Sequence, residues 1–249
     1  MPPYPDIPVN KTAKQLILAA RELAAQVDSL KFRLPVTHVY NPLDYAWDAH
    51  EKYLRQYGGG KKRIVFLGMN PGPFGMAQTG VPFGEIASVR DWLGITANIR
   101  TPELCHPKRP VTGFACLNSE VSGRRLWGLF KERFETPGNF FADHFVTNYC
   151  PLVFMGISGS NLTPDKLGKA EGKKLFHACD AHLRRVLEIL EPEWLIGVGG
   201  FAAKQGMVVA DGLDIQIGQI LHPSPASPAA NRGWPEAVTK QMVNLGIWK

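Results

Sequence analysis

A chain of 249 residues, 45% hydrophobic and 20% charged, has the composition of an ordinary globular protein, long enough to bury a core and compatible with a single domain spanning residues 1–249. Its 28 Lys plus Arg against 22 Asp plus Glu leave a net charge of +6, which favours a polyanionic partner; basic pairs recur at Lys61-Lys62-Arg63, Lys108-Arg109, Arg124-Arg125, Lys173-Lys174 and Arg184-Arg185, each by itself ordinary solvated surface. No apolar run reaches the roughly 18 residues of a membrane span, and Met1-Pro-Pro-Tyr-Pro-Asp6 lacks the basic start and apolar stretch of a secretory signal. The expectation is a soluble, non-secreted protein, cytoplasmic with the nucleoid in a bacterium or nuclear in a eukaryote.

After the Pro-rich start, Asn10 supplies a helix cap, and Leu16, Ala20, Leu23, Val27 and Leu30 recur at helical spacing until Leu34-Pro35 ends the element. Residues 1–60 thus read as a helical segment packed on the body. Gly58-Gly-Gly60 reads as a flexible connection to a first apolar strand, Arg63 to Leu67. The stretch 86–123 carries Pro, Gly and only a weak helical patch around Arg90 to Leu93, which suggests a functional insertion forming one wall of a groove. Further strands are predicted at His144 to Tyr149, Trp194 to Val198 and Ile215 to Leu221, with helical patterns between the last three and around Thr239 to the C-terminus. Thr163-Pro164 looks like the cap and first turn of a long helix that stops at Glu191-Pro192, with Leu175, Cys179, Leu183, Val186 and Leu190 as its apolar stripe. Strands alternating with helices imply an α/β class with a parallel sheet.

Cysteines 105, 116, 150 and 179 are scattered, with no C-x-x-C pair to suggest zinc. Reduced, mostly buried thiols are preferred over an iron–sulfur cluster.

Two loops stand out. The first strand runs into Gly68-Met-Asn-Pro-Gly-Pro-Phe-Gly-Met-Ala-Gln-Thr-Gly-Val-Pro-Phe-Gly-Glu85, so dense in Gly and Pro that its backbone must approach something closely; it has neither the G-x-G-x-x-G order nor the Lys-Ser/Thr of a phosphate loop. The last strand runs into His222-Pro-Ser-Pro and on to Asn231-Arg-Gly-Trp234, a stiffened loop headed by a titratable residue. Rigid loops leaving the carboxyl ends of strands suggest one active site at the lip of an open sheet.

Together with Asn148-Tyr-Cys-Pro-Leu152, these motifs stand in an order and at separations that resemble the single-strand-selective monofunctional uracil-DNA glycosylases across nearly the whole chain. The resemblance implies a three-layer α/β/α sandwich around a mainly parallel four-stranded sheet. It also implies a metal-free and cofactor-free enzyme, acting as a monomer, that removes uracil and oxidised 5-substituted uracils from single- and double-stranded DNA in base excision repair. Breaking that bond leaves an oxocarbenium-like sugar and an anionic base, so the catalyst must stabilise charge at uracil O2 and deliver water. On the resemblance, His222 and the backbone N–H of Met69 are the O2 donors, each worth about 10²–10³ in rate. Asn70 positions the water, since an amide can accept a hydrogen bond but does not titrate near neutral pH. Asn148 reads uracil through N3–H and O4, a pattern cytosine inverts, and Phe83 is the stacking platform.

Gly72 and Met76 are placed at the base's C5 edge, where they would leave a small wet space for 5-substituents. The loop Pro223, Ser224, Pro225, Ala226, Ser227 to Asn231 is matched to a wedge that enters duplex DNA, with Arg232 for phosphate. Vertebrate members place Arg where this chain has Ala226, which implies weaker holding of the product. No Lys in the motifs suggests lyase chemistry. Competing readings are a relative that prefers deaminated purines, whose lactam edge Asn148 could also read, and a catalytically idle module that senses damaged DNA.

Overall fold

The computed structural model describes residues 10–249. In chain order the elements begin with α1 (Lys11–Asp28), β1 (His38–Tyr40), α2 (Pro42–Tyr45), α3 (Trp47–Tyr57), β2 (Ile64–Gly68) and α4 (Met76–Thr79). Then come α5 (Val121–Phe134), α6 (Pro137–Asp143), β3 (His144–Asn148), β4 (Val153–Met155), β5 (Asn161–Leu162) and α7 (Lys169–Leu190). The chain closes with β6 (Trp194–Val198), α8 (Gly200–Val209), β7 (Gln216–Ile220), α9 (Pro228–Asn231) and α10 (Trp234–Asn244).

Strands β3-β2-β6-β7 form one sheet in that order, every pair parallel. Because β2 is buried on both faces, its run Ile64-Val-Phe-Leu67 is continuously apolar rather than alternating. The two faces are distinguishable by parity. Phe66 points toward α5 and α6, with its ring 4.9 Å from Phe130 and 6.4 Å from Phe140, whereas Leu67 and Leu195 face Gly206 of α8. Tyr53 of α3 packs 5.4 Å from Phe145 and donates to the Val146 carbonyl, placing α3 on the α8 side with α1 and α7. The result is the α/β/α sandwich, its core filled by side chains worth about 1.5–3 kcal/mol each when fully buried. A separate antiparallel trio, β1-β4-β5, stands beside it.

The Asn10 side chain accepts from the Thr12 N–H at 2.8 Å, the cap expected for α1, and Leu16, Ala20, Leu23 and Val27 are buried. The helix stops at Asp28, so Leu30 lies beyond it and Leu34-Pro35 belongs to the following turn. Three further expectations need correction. Thr163-Pro164 does not open the long helix: Pro164–Lys166 is an isolated 3-10 turn, and α7 begins at Lys169 after Gly168. Gly58 is not a flexible joint but the buried cap of α3, donating to Leu54 O at 2.8 Å. The weak helical patch near Arg90 is a π-helical turn, Ser88–Trp92. Among the described residues no helix is long and apolar enough to cross a membrane.

Candidate active site

The β2–β3 register pairs Gly68 with Asn148, and beyond the strands the Tyr149 N–H donates to Gly68 O and the Cys150 N–H to Met69 O, both at 2.9 Å. Two distant motifs are thereby held edge to edge. Gly68 is required by this proximity: a Cβ there would sit 2.3 Å from Asn148 Oδ1 and 2.6 Å from the Phe83 ring. At the carboxyl ends of the strands opens a cavity of about 330 Å³. Met69, Asn70, Gly72 and Met76 line it from the β2 loop, with Phe83 and Asn148 at its inner end. His222, Ser224 and Pro225 close it from beyond β7.

Asn148 is only 8% exposed, its Nδ2 directed at the Met76 sulfur at 3.3 Å. Its Oδ1 is buried with no partner. A buried acceptor left unpaired costs about 1–3 kcal/mol; Trp127 Nε1 and His182 Nδ1 are likewise buried and unpaired, but of the three residues Asn148 alone lines this cavity, where a ligand can supply the donor. Beside it, Phe83 has φ 53°, a left-handed conformation that a bulky residue adopts only at a cost of about 1–3 kcal/mol. The turn that imposes it is locked by Glu85 N–H donating to Phe83 O at 2.7 Å and by Thr79 donating to Gly84 O at 2.9 Å.

Asn70 donates its Nδ2 to the Leu152 carbonyl at 3.2 Å. With the NH₂ turned to backbone, the amide oxygen of this cavity-lining residue is the group left to accept.

His222 has a defined tautomer. Its Nδ1 accepts from the Ser224 N–H at 3.1 Å, so in the neutral ring the proton resides on Nε2, which becomes a donor. Burial holds its pKa below the ordinary 6.5, keeping the ring neutral at physiological pH. The ring packs on Gly199, whose φ of 90° and lack of a side chain leave it room: a Cβ there would lie 3.1 Å from that of His222.

Beyond His222 the loop is braced rather than free. Arg125 of α5 donates to Pro223 O at 3.0 Å, to Ser224 O at 3.3 Å and to Asn231 Oδ1 at 2.8 Å, while Asn231 Nδ2 donates to Pro225 O at 2.9 Å. The Ser224 hydroxyl accepts from the Ala226 N–H at 3.1 Å, and Ser227 caps α9 by accepting from the Ala230 N–H. Pro223 is buried. Of the residues expected to meet DNA, Pro223, Ser224, Pro225, Ser227 and Asn231 therefore use polar groups to hold the loop's shape, while Pro225, Ala226, Asn231 and Arg232 are exposed to solvent.

Several site residues are not foreseeable from the motifs. Glu120, just before α5, lines the cavity with Ser122, so the irregular stretch 86–123 does end as one of its walls. The Glu120 carboxylate accepts from Phe74 N–H at 3.3 Å and occupies the space beside Gly72, which is therefore polar and partly filled rather than simply open. Asn161 of β5 and Thr163 just after it complete the rim. In the sequence Arg125 is only half of a basic pair, and Gly199 only a strand end. Among the described residues no three His, Cys, Asp or Glu converge as metal ligands would, and all four cysteines are free.

The profile of the Uracil DNA glycosylase superfamily matches residues 55–242. A single-strand selective monofunctional uracil-DNA glycosylase of Rattus norvegicus is 48% identical over 227 residues, 90% of this chain and 82% of that protein. The corresponding Bos taurus protein is 48% identical over 225 residues, 89% of this chain and 82% of its own length. Among solved structures, Pedobacter heparinus SMUG2 superposes with a TM-score of 0.66 at 18% identity, covering 92% of this chain and 97% of that one, a likeness of fold. With the motifs, the sheet and the cavity in register, the chain belongs to the uracil DNA glycosylase superfamily, among the single-strand selective monofunctional uracil-DNA glycosylases.

Proposed function

We propose that this chain hydrolyses the bond between deoxyribose and uracil in DNA, leaving an abasic site, and that it does so on a base flipped out of the helix. The observation that carries the reading is the partnerless, buried Asn148 Oδ1 at the inner end of the cavity. Uracil N3–H is the donor it lacks, and Nδ2 can reach O4 with its second proton. Cytosine offers an acceptor at N3 and a donor at the exocyclic nitrogen, leaving both amide groups mismatched, a penalty of about 10⁴ or more in sites built this way.

With the base stacked on Phe83, the Nε2–H of His222 donates to O2. As the N1–C1′ bond breaks, its electron pair moves onto the base, where charge gathers at O2 and is met by that donor and by the Met69 N–H. Water held by Asn70 Oδ1 adds to the sugar carbon, and its proton is lost to solvent or to the departing base. No covalent intermediate is needed, and a neutral His222 is suited to donating a hydrogen bond without transferring its proton.

The proposed activity extends to 5-substituted uracils, since the C5 side of the cavity is polar, and to both single- and double-stranded DNA, with the Pro225-Ala226 tip as the part that enters the duplex. The test is incubation of purified protein with oligonucleotides carrying U, 5-hydroxymethyluracil, T, hypoxanthine or xanthine, with and without EDTA, scoring abasic sites. Release of uracil in EDTA is expected. Preferential release of hypoxanthine or xanthine would replace the proposal with a purine-directed one, and binding without release would make the protein a sensor.

A further inference from the structure

The basic pair Lys108-Arg109 has no part in uracil excision as described, yet it is anchored at the edge of the cavity. Of the other basic pairs, Lys61 and Arg63 are matched by Glu191, Asp143 and Glu193, Arg184 and Arg185 by Glu188 and Glu22, and Arg125 is engaged by the loop after His222. Lys173-Lys174 is exposed, but it lies on α7, outside the walls of the cavity. Lys108 and Arg109 form no ion pair among the described residues. Lys108 is exposed and Arg109 half-exposed.

Arg109 is held in place rather than loose. Its Nε donates to Gly159 O at 3.0 Å and its Nη1 to Lys108 O at 3.3 Å, and the guanidinium carbon lies 5.3 Å from the centre of the Phe74 ring. Nη2 has no bond partner among the described residues, which leaves one edge of the fork to a ligand. Gly159 is two residues from Asn161, and Phe74 sits between Pro73 and Gly75; all three of those neighbours line the cavity. The segment carrying the pair is fixed from beneath. Gln78, 1% exposed, donates to Pro73 O at 3.0 Å and Pro110 O at 3.1 Å and accepts from the N–H groups of Thr112 at 2.9 Å and Gly113 at 3.1 Å. The Tyr40 hydroxyl donates to Arg109 O at 2.7 Å and accepts from the His106 N–H at 2.8 Å.

The place of the pair relative to the base follows from the sheet. His222 follows β7, one edge of the four-stranded sheet, and Asn148 ends β3, the other edge, three strand spacings or roughly 14 Å away. On leaving β3 the chain passes Asn70, which bonds Leu152 O, and enters the β4–β5 hairpin to which Arg109 is bonded. The His222 loop and the Lys108-Arg109 pair thus bound the mouth of the cavity from opposite sides. A strand that delivers one nucleotide into the cavity passes over both, carrying a negative phosphate at every step. We propose that Lys108 and Arg109 form a subsite for backbone phosphates of the DNA strand, on the side of the flipped nucleotide remote from the His222 loop. The inference rests on the uracil-excision reading and deepens it. Contact with the backbone gives affinity without sequence preference, and it needs no second strand.

The experiment measures half-saturation of single-turnover uracil release from single-stranded oligonucleotides over a range of salt concentrations. Lys108→Ala and Arg109→Ala are each expected to raise it about fivefold near 0.1 M salt and to flatten the log–log salt dependence by about 0.7, the value for one phosphate contact on a single strand, with the maximal rate falling less. Arg109→Lys, which keeps the charge, is expected to restore most of the slope, whereas a smaller folded fraction lowers the amplitude and leaves the slope alone. Oligonucleotides trimmed from one or the other side of the uracil give a second readout: trimming one of the two sides should weaken binding to the unaltered protein but not to the variant carrying both Lys108→Ala and Arg109→Ala. Unchanged half-saturation and slope in both single variants, or in Lys108→Ala alone if Arg109→Ala is insoluble, overturns the subsite while leaving uracil excision standing. So does a double variant as sensitive to trimming on each side as the unaltered protein. Absence of uracil release from the unaltered protein is a different failure, that of the glycosylase reading itself.

Discussion

The inner end of the cavity and the loop beyond β7 solve opposite problems. At the inner end, Asn148, Phe83 and Asn70 are fixed by buried neighbours, and the strain of Phe83 and the orphaned Asn148 oxygen are held there at a cost to stability. The loop from Pro223 to Asn231 has little core of its own; its shape depends on one guanidinium, Arg125, and on bonds among its own residues. The groups proposed to discriminate between bases are set in rigid, dry surroundings where an unmade bond is expensive, whereas the segment proposed to meet DNA is braced at its base and open at its tip.

Five substitutions and a pH profile probe that contrast, the largest effect first. Asn148→Ala should cut uracil release by about 10³–10⁴, because the bonds it makes are desolvated. Asn148→Asp should lose discrimination and release some cytosine if burial keeps the acid protonated. Retained uracil preference in both would remove the reading role. His222→Ala should slow the single-turnover step by about 10²–10³ with DNA affinity little changed, and equal losses in both would reduce it to a structural or phosphate-contacting residue.

The same histidine sets an acid limb. Its pKa lies below the ordinary 6.5, so activity should hold through that value and fall about tenfold per pH unit only beneath the lowered one. The stability sign agrees: below 6.5 the unfolded chain takes a proton that the folded His222 refuses, so its contribution is present above that pH and lost as pH falls. An acid limb beginning above 6.5 would contradict the neutral tautomer.

At the loop, Arg125→Ala should reduce duplex excision about tenfold through slackening of the Pro223–Asn231 segment, with less effect on single strands, which need no wedge. Equal loss on both substrates would show that Arg125 acts elsewhere. Smallest of all, Ala226→Arg at the exposed tip should tighten binding to abasic duplex by severalfold and slow turnover, measurable by gel shift and product-release kinetics. Unchanged affinity would take the tip out of the duplex contact.

Particular residues show where sequence reading succeeds and where it stops. The strands β2, β3, β6 and β7 fall within a residue or so of their expected bounds: the central β2 and β6, buried on both faces, read as nearly continuous apolar runs, whereas the edge strands β3 and β7 carry polar residues among Phe, Val and Ile. The segment carrying α2 and α3 gives no clear periodic signal, although Asn41 ahead of Pro42 has the form of a cap and first turn; its buried face mixes Trp47, His50 and Tyr53, which blurs the apolar stripe. Thr163-Pro164 has the same form and misleads, since its turn ends after one round and Thr163 faces the cavity rim instead. Glu120 and Arg125 carry no sequence signal because their partners, Phe74 and the loop after His222, are 46 and about 100 positions away along the chain.

The amino-acid order alone placed Asn70, Phe83, Asn148 and His222 on loops and ends of strands, a local property of composition and spacing, while the roles proposed for them come from the resemblance of their motifs. Only the tertiary structure decided which atom of each is available: that Asn148 presents an unpaired oxygen, that His222 carries its proton on Nε2, and that a glutamate stands beside Gly72. Hydrogen-bond availability depends on partners supplied from remote segments, and those partners exist only once the β2–β3 and β6–β7 registers have brought the segments together.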